Sequence, residues 1–255
     1  MPVSLAFSAD GARAALRFMH PKGNILTREI MAGLRAACDD ISRAERLKLV
    51  TLVSDAADFS FGASVPEHAP GEIEQALPEM HELVRDLLAI QAPTAAVVRG
   101  RCLGGGFELA LACDFIFAAD DATFALPEIA LGVLPPVGSV LLPLKTGYAR
   151  AARAALTGGA NDAGYWERAG LVAFTAPREQ LDGAVDAWFA QHLAPHSAAA
   201  LRHAAIALRY HAHDAVERLL PRIEQLYLSD VMSTEDAAEG VRAFIEKRAP
   251  AWKDR

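Results

Sequence analysis

The N-terminal half of this chain alternates strand-length apolar runs with amphipathic helical segments, and this order constrains the fold more than any other feature. Compact apolar runs occupy residues 47–53, Thr94–Val98 and residues 115–118. Between them, through residues 30–41 and 77–87, apolar residues recur at the spacings of three and four that define one helical face. Parallel strands need helical crossovers of this kind. The pattern therefore predicts an α/β fold with parallel strands.

Regions with other patterns flank this alternation. Val3–Phe7 and residues 14–18 read as two strands, and the pair Asp10 and Gly11 between them predicts a hairpin turn. Thr27 is placed to cap the first helix. From Leu181 onward the chain shows Ala-rich amphipathic helices and no strand pattern, so we expect a helical C-terminal region.

An apolar stripe in this helical region has two interpretations. It comprises Ile223, Leu226, Tyr227, Val241, Phe244 and Ile245. Periodicity alone does not separate internal core from a subunit interface, so both stay open.

Composition excludes several classes of protein. Hydrophobic residues make up 52% of the 255 residues and charged residues 22%, which is typical of a globular chain with a packed core. A net charge of −7 argues against a nucleic-acid binder. The three cysteines have no metal-ligand spacing, which indicates reduced thiols in a cytoplasmic protein. No uncharged apolar run reaches the length of a membrane span, and no secretory leader opens the sequence.

Three consecutive glycines, Gly104, Gly105 and Gly106, open a predicted helix after the strand Thr94–Val98. Backbone N–H groups at a helix start lack intrahelical partners and can bind an oxygen that gains negative charge. Glu108 lies three residues after Gly105, so its carboxylate would share that helix face. The alternative is a glycine turn for tight packing, with Glu108 an ordinary acidic residue of a first helical turn.

Two further segments have similar ambiguity. Glu128 is embedded among apolar residues, where a carboxylate is costly unless it is hydrogen bonded or has a raised pKa, and a raised pKa is what general acid catalysis needs. Alternatively it is a partly exposed residue in a helical turn that begins at Pro127. The segment 59–64 follows a strand, and its backbone beside Gly62 could approach a ligand, although alone it reads as an ordinary loop.

Taken together and in this order, these segments resemble the crotonase (enoyl-CoA hydratase and isomerase) family over nearly the whole chain. The family's central block is matched by residues 102–110 (CLGGGFELA), by Cys113 and Asp114, and by residues 127–132 (PEIALG). Residues 156–159, 169–172 and 240–248 continue the resemblance. It implies a fold of repeated ββα units in residues 1–180, and a helical region in residues 181–255 that mediates assembly into a homotrimer or a dimer of trimers.

The resemblance also implies roles for individual residues. The N–H groups of Ala63 and Gly105 would form an oxyanion hole for the thioester oxygen, and Glu108 and Glu128 would be the acid and base pair of a hydratase. Four residues would contact coenzyme A: Lys22, Gly23, Phe244 and Lys247. The expected substrate is an acyl-CoA thioester, with no metal or redox cofactor, no nucleic acid and no membrane partner.

Departures from the usual hydratase pattern concern the acyl group. Ser64 stands where ordinary family members carry Asp, and Pro135 and Pro136 would stiffen an apolar loop over residues 134–143. Both segments resemble family members that hydrate a cyclic conjugated dienoyl thioester in anaerobic benzoyl-CoA breakdown. His68 in the same region is either an extra proton carrier or a surface histidine.

Other family activities stay open at this stage. A hydratase or isomerase of linear enoyl thioesters is one alternative, although keeping both carboxylates favours hydration. A catalytically idle acyl-CoA binder with the same fold is another.

Overall fold

The computed structural model describes residues 2–68 and 71–255. Its strands are β1 (Val3–Phe7), β2 (Arg13–Phe18), β3 (Leu49–Ser54), β4 (Thr94–Val98), β5 (Arg101–Leu103), β6 (Phe115–Ala119), β7 (Thr123–Ala125), β8 (Asn161–Asp162) and β9 (Phe174–Ala176). Its α-helices are α1 (Arg28–Ser42), α2 (Ile73–Ala89), α3 (Gly105–Leu111), α4 (Pro136–Thr146), α5 (Tyr148–Thr157), α6 (Ala163–Arg168), α7 (Leu181–His192), α8 (Ala198–Gln225) and α9 (Glu235–Glu246). Short 3₁₀ helices cover Val65–His68, Pro127–Leu131 and Arg178–Gln180, and a π-helical segment covers Leu226–Val231.

The larger sheet has the order β1-β2-β3-β4-β6-β9. β1 and β2 pair antiparallel as a hairpin, and every later pairing in this sheet is parallel. All five residues of β4 are buried, as expected for a parallel strand covered on both faces. The predicted hairpin and the predicted parallel strands are therefore confirmed. Thr27 caps α1 as expected, with its side chain accepting a hydrogen bond from the Ile30 N–H at 3.4 Å.

A second, smaller sheet has the order β5-β7-β8 and was not predicted from the sequence. After β4 enters the larger sheet, the chain turns at Gly100 and contributes β5 to the smaller one. β6 and β7 repeat this division, which is the ββα repeat that the resemblance implied. The glycine triplet consequently follows β5 directly, and our placement of it immediately after β4 was wrong. Strands of three residues are too short to show a hydropathy period.

The C-terminal region is helical from Leu181, as predicted, and lies against the core. The buried Arg209 on α8 donates to the Asp114 carboxylate, and also to the backbone carbonyls of Leu88, Ile90 and Ala92. These bonds attach α8 to the end of α2 and the start of β4. No helix in the described part of the chain is long and apolar enough to cross a membrane.

The apolar stripe of the C-terminal region divides between the two interpretations. Tyr227 is 1% exposed and belongs to the interior, whereas Phe244 and Ile245 on α9 are 56% and 57% exposed. The stripe is therefore not one continuous surface. The proposed trimer stays a prediction.

Candidate active site

Glu108 lies in the first turn of α3, a helix whose residues are all buried. The adjacent Phe107 packs against Phe124 and Trp166, which anchors the helix in the core. Glu108 itself is 4% exposed, and its Oε1 accepts a hydrogen bond of 2.8 Å from the Gly138 N–H. That N–H belongs to the first turn of α4, where helix N-termini favour negative charge.

The proton affinity of Glu108 results from opposed effects. Burial raises the pKa of its carboxyl group to about 7, while the backbone N–H groups of Gly138 and Val137 oppose the rise by stabilising the carboxylate. A group with this pKa can exchange protons near neutral pH.

Glu128 lies in the 3₁₀ helix Pro127–Leu131, opposite the start of α3. A Cβ atom placed on Gly104 would come within 2.6 Å of Glu128 Oε1, so the glycine leaves the space that this carboxyl group occupies. Glu128 Oε2 is inaccessible to solvent and has no hydrogen-bond partner among the described residues. Burial, followed by the negative charge of Glu108, raises its pKa well above the usual range. Glu128 therefore retains its proton more strongly than Glu108 does.

The backbone of the segment 59–64 approaches the start of α3 closely. A Cβ atom on Gly62 would lie 3.1 Å from the Gly105 nitrogen, and one on Gly105 would lie 3.3 Å from the Ala63 nitrogen. The Leu26 N–H donates to the Gly62 carbonyl at 2.9 Å and holds the segment in place. As the first residue of α3, Gly105 has an N–H without an intrahelical acceptor. The two predicted donors thus lie side by side.

Both carboxyl groups and both backbone donors line one cavity of about 350 Å³. Its remaining wall is largely apolar and comes from α2, from the segments that flank α4 and from the C-terminal helices. Members of this wall include Met80, Leu77, Leu131, Leu134, Pro136, Tyr227 and Phe244. A concave, apolar site with a few convergent polar groups is typical of a binding site for a small molecule.

The predicted coenzyme A contacts are spread around this cavity. Phe244 lines it from α9, whereas Lys22, Gly23 and Lys247 lie outside its lining. Gly23 is nevertheless adjacent, because a Cβ atom there would meet the ring of Phe61, a lining residue, at 2.3 Å. Lys247 is the exposed C-cap of α9. Their role in binding coenzyme A stays a prediction, and the side chain of His68 lies outside the described residues.

One expectation about the double-proline segment was wrong. Pro136 begins α4, so residues 136–143 are helical and do not form a stiff loop. Leu134 and Pro136 contact the cavity, while Val137, Val140, Leu141 and Leu142 are buried in the core. The functional consequence of Pro136 is that it starts the helix whose N-terminus supports Glu108.

Sequence reasoning missed some groups of the cavity. The Gly138 N–H could have been found from Pro135 and Pro136, since proline favours the first turn of a helix. Tyr227 had been noted as part of an apolar stripe, but nothing local in the sequence indicates that it reaches the cavity.

Comparisons with known proteins agree with this geometry. Residues 10–255 match the profile of the family described as enoyl-CoA hydratase/isomerase. A cyclohexa-1,5-dienecarbonyl-CoA hydratase from Thauera aromatica is 39% identical over 254 residues, covering 100% of this chain and 98% of the relative. A 2,3-dehydroadipyl-CoA hydratase from Escherichia coli K12 is 33% identical, covering 98% and 94%. The crystal structure of an enoyl-CoA hydratase from Mycobacterium avium superimposes with a TM-score of 0.87 at 28% identity, covering 99% of both chains.

The chain therefore belongs to the enoyl-CoA hydratase/isomerase family and has the crotonase fold. Its relatives are named as hydratases and dehydratases of coenzyme A thioesters. It is an enzyme of the hydro-lyase class with an acyl-CoA substrate.

Proposed function

We propose that this enzyme adds water to cyclohexa-1,5-diene-1-carbonyl-CoA and forms 6-hydroxycyclohex-1-ene-1-carbonyl-CoA, a step of anaerobic benzoyl-CoA degradation. The observation that carries the hydration chemistry is that two carboxyl groups share one cavity with two adjacent backbone donors, and that Glu108 accepts a hydrogen bond from the start of α4 whereas Glu128 Oε2 has no partner among the described residues. The cyclic substrate is supported by the relative from Thauera aromatica, whose similarity spans the full chain.

Glu108 is the general base of this mechanism. Its carboxylate is stabilised by the N–H groups at the start of α4, so it is the group that is ionised first as the pH rises. It takes a proton from water while the water oxygen bonds to the ring carbon β to the thioester. The electron pair of the double bond moves toward the thioester oxygen.

The backbone N–H groups of Ala63 and Gly105 stabilise that oxygen. The charge develops on an enolate-like oxygen in the transition state, where preorganised donors contribute most. One donor of this kind contributes about 3 kcal/mol to catalysis.

Glu128 is the general acid. It keeps its proton because burial and the negative charge of Glu108 outweigh the hydrogen bond from its own backbone N–H, which stabilises the carboxylate form. It delivers this proton to a ring carbon at the far end of the conjugated system, so one double bond remains conjugated with the thioester. Glu108 holds the proton from water, and return of that proton to Glu128 through solvent restores the starting state.

Coenzyme A would contact four residues: Lys22, Gly23, Phe244 and Lys247. Phe244 lines the cavity, and the two lysines would bind the phosphates of coenzyme A. Coenzyme A belongs to the substrate, and the proposed chemistry uses no metal or redox cofactor. We further propose a cytoplasmic homotrimer or dimer of trimers, assembled through residues 181–255.

A linear enoyl thioester is the second candidate substrate, favoured by the similarity to the 2,3-dehydroadipyl-CoA hydratase. An isomerase would need a single carboxyl group for proton transfer, and here both carboxyl groups reach the cavity. A non-catalytic acyl-CoA binder would have no use for two costly buried carboxyl groups.

The test is a comparison of kcat/KM for cyclohexa-1,5-diene-1-carbonyl-CoA and crotonyl-CoA with the purified full-length protein, with product identified by mass. We expect hydration of both and a clear preference for the cyclic thioester. Preference for crotonyl-CoA would contradict the cyclic assignment while leaving hydration in place. Tight binding of both thioesters without turnover would instead support the non-catalytic binder.

A further inference from the structure

Tyr227 is a buried residue from the C-terminal region that reaches the catalytic cavity. It lies in the π-helical segment Leu226–Val231 that continues α8, and its carbonyl accepts a hydrogen bond from the Met232 N–H at 2.9 Å. Such π-helical turns are rare and frequently occur at functional sites. Its side chain belongs to a small apolar cluster with Leu77, Val133 and Ala237. The surrounding packing therefore fixes the position of the ring.

The hydroxyl group of Tyr227 has a different environment from its ring. It makes no hydrogen bond within the described residues, and its oxygen is not among their solvent-inaccessible atoms without a partner, so it is accessible from the cavity although the residue is only 1% exposed. Burial raises its pKa above the usual range, and the negative charges of Glu128 and Glu108 raise it further. A buried phenol normally has a hydrogen-bond partner. This one stays protonated, and Tyr227 lines the same cavity as both carboxyl groups, where a ligand can reach it.

A hydrogen-bond donor at this place would assist hydration. Water that gives one proton to Glu108 becomes hydroxide-like, and its oxygen then needs stabilisation until it bonds to carbon. The N–H groups of Ala63 and Gly105 are assigned to the thioester oxygen, and protonated Glu128 is assigned to the ring carbon.

We propose that Tyr227 is a third catalytic side chain, which donates a hydrogen bond from its hydroxyl group to the water oxygen that is added to the substrate. This inference rests on the proposed hydratase function but not on the cyclic nature of the acyl group. No proton leaves Tyr227, because Glu108 accepts the proton from water.

The competing explanation is that the ring of Tyr227 merely forms a wall of the cavity. Tyr227→Phe keeps the wall and removes the hydroxyl group, whereas Tyr227→Leu removes the wall as well. Tyr210→Phe is the matched control, because Tyr210 lies on the preceding helix α8 and is 61% exposed.

The experiment measures kcat, KM and thermal unfolding for all three variants, with the thioester that the wild type hydrates fastest. We expect Tyr227→Phe to lower kcat by about 10- to 100-fold, the range for a hydrogen bond to a charged group, while KM and the unfolding temperature stay unchanged. Tyr227→Leu should additionally raise KM, and Tyr210→Phe should match the wild type.

Failure of this inference and failure of the proposed function give different results. If Tyr227→Phe keeps kcat within twofold of the wild type, the hydroxyl group has no catalytic role even though the hydratase assignment stands. If Tyr227→Phe unfolds at a clearly lower temperature, the hydroxyl group is a structural partner and the inference is wrong. If the wild type hydrates neither thioester, the proposed function and this inference fail together.

Discussion

Two glutamates line the same cavity in different surroundings: Glu108 on α3, which packs against α4, and Glu128 in the 3₁₀ helix Pro127–Leu131. Glu108 accepts a hydrogen bond from the N-terminus of α4. In the 3₁₀ helix, Glu128 Oε2 is buried without a partner among the described residues. Two identical carboxyl groups thereby acquire different proton affinities.

Backbone placement, rather than residue type, therefore assigns the acid and the base. Both groups are desolvated, which raises the pKa of each. At Glu108 two backbone N–H groups of α4 oppose that effect, whereas at Glu128 its own backbone N–H opposes it. Because the two groups interact strongly, their protons leave in two macroscopic steps that belong to the pair. The first step ionises Glu108, whose carboxylate accepts a hydrogen bond from the start of α4.

The largest effect is expected from neutralising either carboxyl group. Glu108→Gln removes the base and Glu128→Gln removes the acid, so each should lower kcat by about 100- to 10,000-fold. Binding of the thioester should persist, because glutamine has nearly the same shape. Steady-state kinetics and a titration with a non-reactive acyl-CoA check both statements. Unchanged turnover in either variant would contradict the mechanism.

A second prediction concerns the space beside Glu128. Gly104 has a φ of +50°, and Gly104→Ala places a Cβ atom 2.6 Å from Glu128 Oε1. The substitution should therefore displace the Glu128 carboxyl group and lower kcat by about tenfold or more. Gly11→Ala is the matched control, since Gly11 also has a positive φ but no atom within 4 Å of the added Cβ. That control should lose about 1 kcal/mol of stability and no activity. Equal turnover in the two variants would show that the contact with Glu128 is unimportant.

Much of the larger sheet could be predicted from the sequence because its strands are long enough to show a pattern. Val3–Phe7 and Thr94–Val98 have the predicted bounds, and Thr27 caps α1. The smaller sheet escaped prediction because β5 and β7 contain three residues each. Their pairing is determined by contacts between segments distant in sequence, which no local window contains.

The candidate site was predictable where backbone chemistry requires particular residues. The glycine triplet and the two glutamates stand out in the sequence, and the structure brings Gly104, Gly105 and both glutamates to one cavity with Ala63. The contribution of α4 was missed because Pro135 and Pro136 were interpreted as a loop. Tyr227 was missed because its approach to the cavity depends on how α8 and the π-helical segment pack against the core.

The third prediction is that the raised pKa of Glu108 makes the stability of the fold depend on pH. Its carboxyl group binds a proton more tightly in the folded than in the unfolded chain, so the fold is stabilised below the unfolded value near 4.5 and loses this stability as the pH rises toward about 7. At about 1.4 kcal/mol for each tenfold change in proton affinity, the loss is on the order of 3 kcal/mol.

Glu108→Gln should abolish that loss because the amide does not titrate. Unfolding by denaturant at pH 4 and at pH 8 measures it: variant and wild type should be similar in stability at the lower pH, and the variant should be more stable at the higher pH. A variant that is less stable than the wild type at pH 8 would show that the hydrogen bond from Gly138 outweighs desolvation.

The smallest effect is expected where α9 supports the 3₁₀ helix that carries Glu128. A Cβ atom on Gly240 of α9 would come within 2.1 Å of the Leu131 carbonyl oxygen, so Gly240→Ala should push α9, together with Phe244, away from the cavity. Gly183→Ala on α7 is the control, because its Cβ would meet no atom within 4 Å and alanine favours a helix by about 1 kcal/mol. We expect Gly240→Ala to raise KM by a few-fold, with kcat lowered less because Glu108 and the backbone donors stay in place, whereas Gly183→Ala should leave both constants unchanged. A drop in kcat as large as that of Glu128→Gln would instead show that the position of Glu128 depends on α9. Glu128, which lacks a hydrogen bond from α4, would then also be the more easily displaced of the two glutamates.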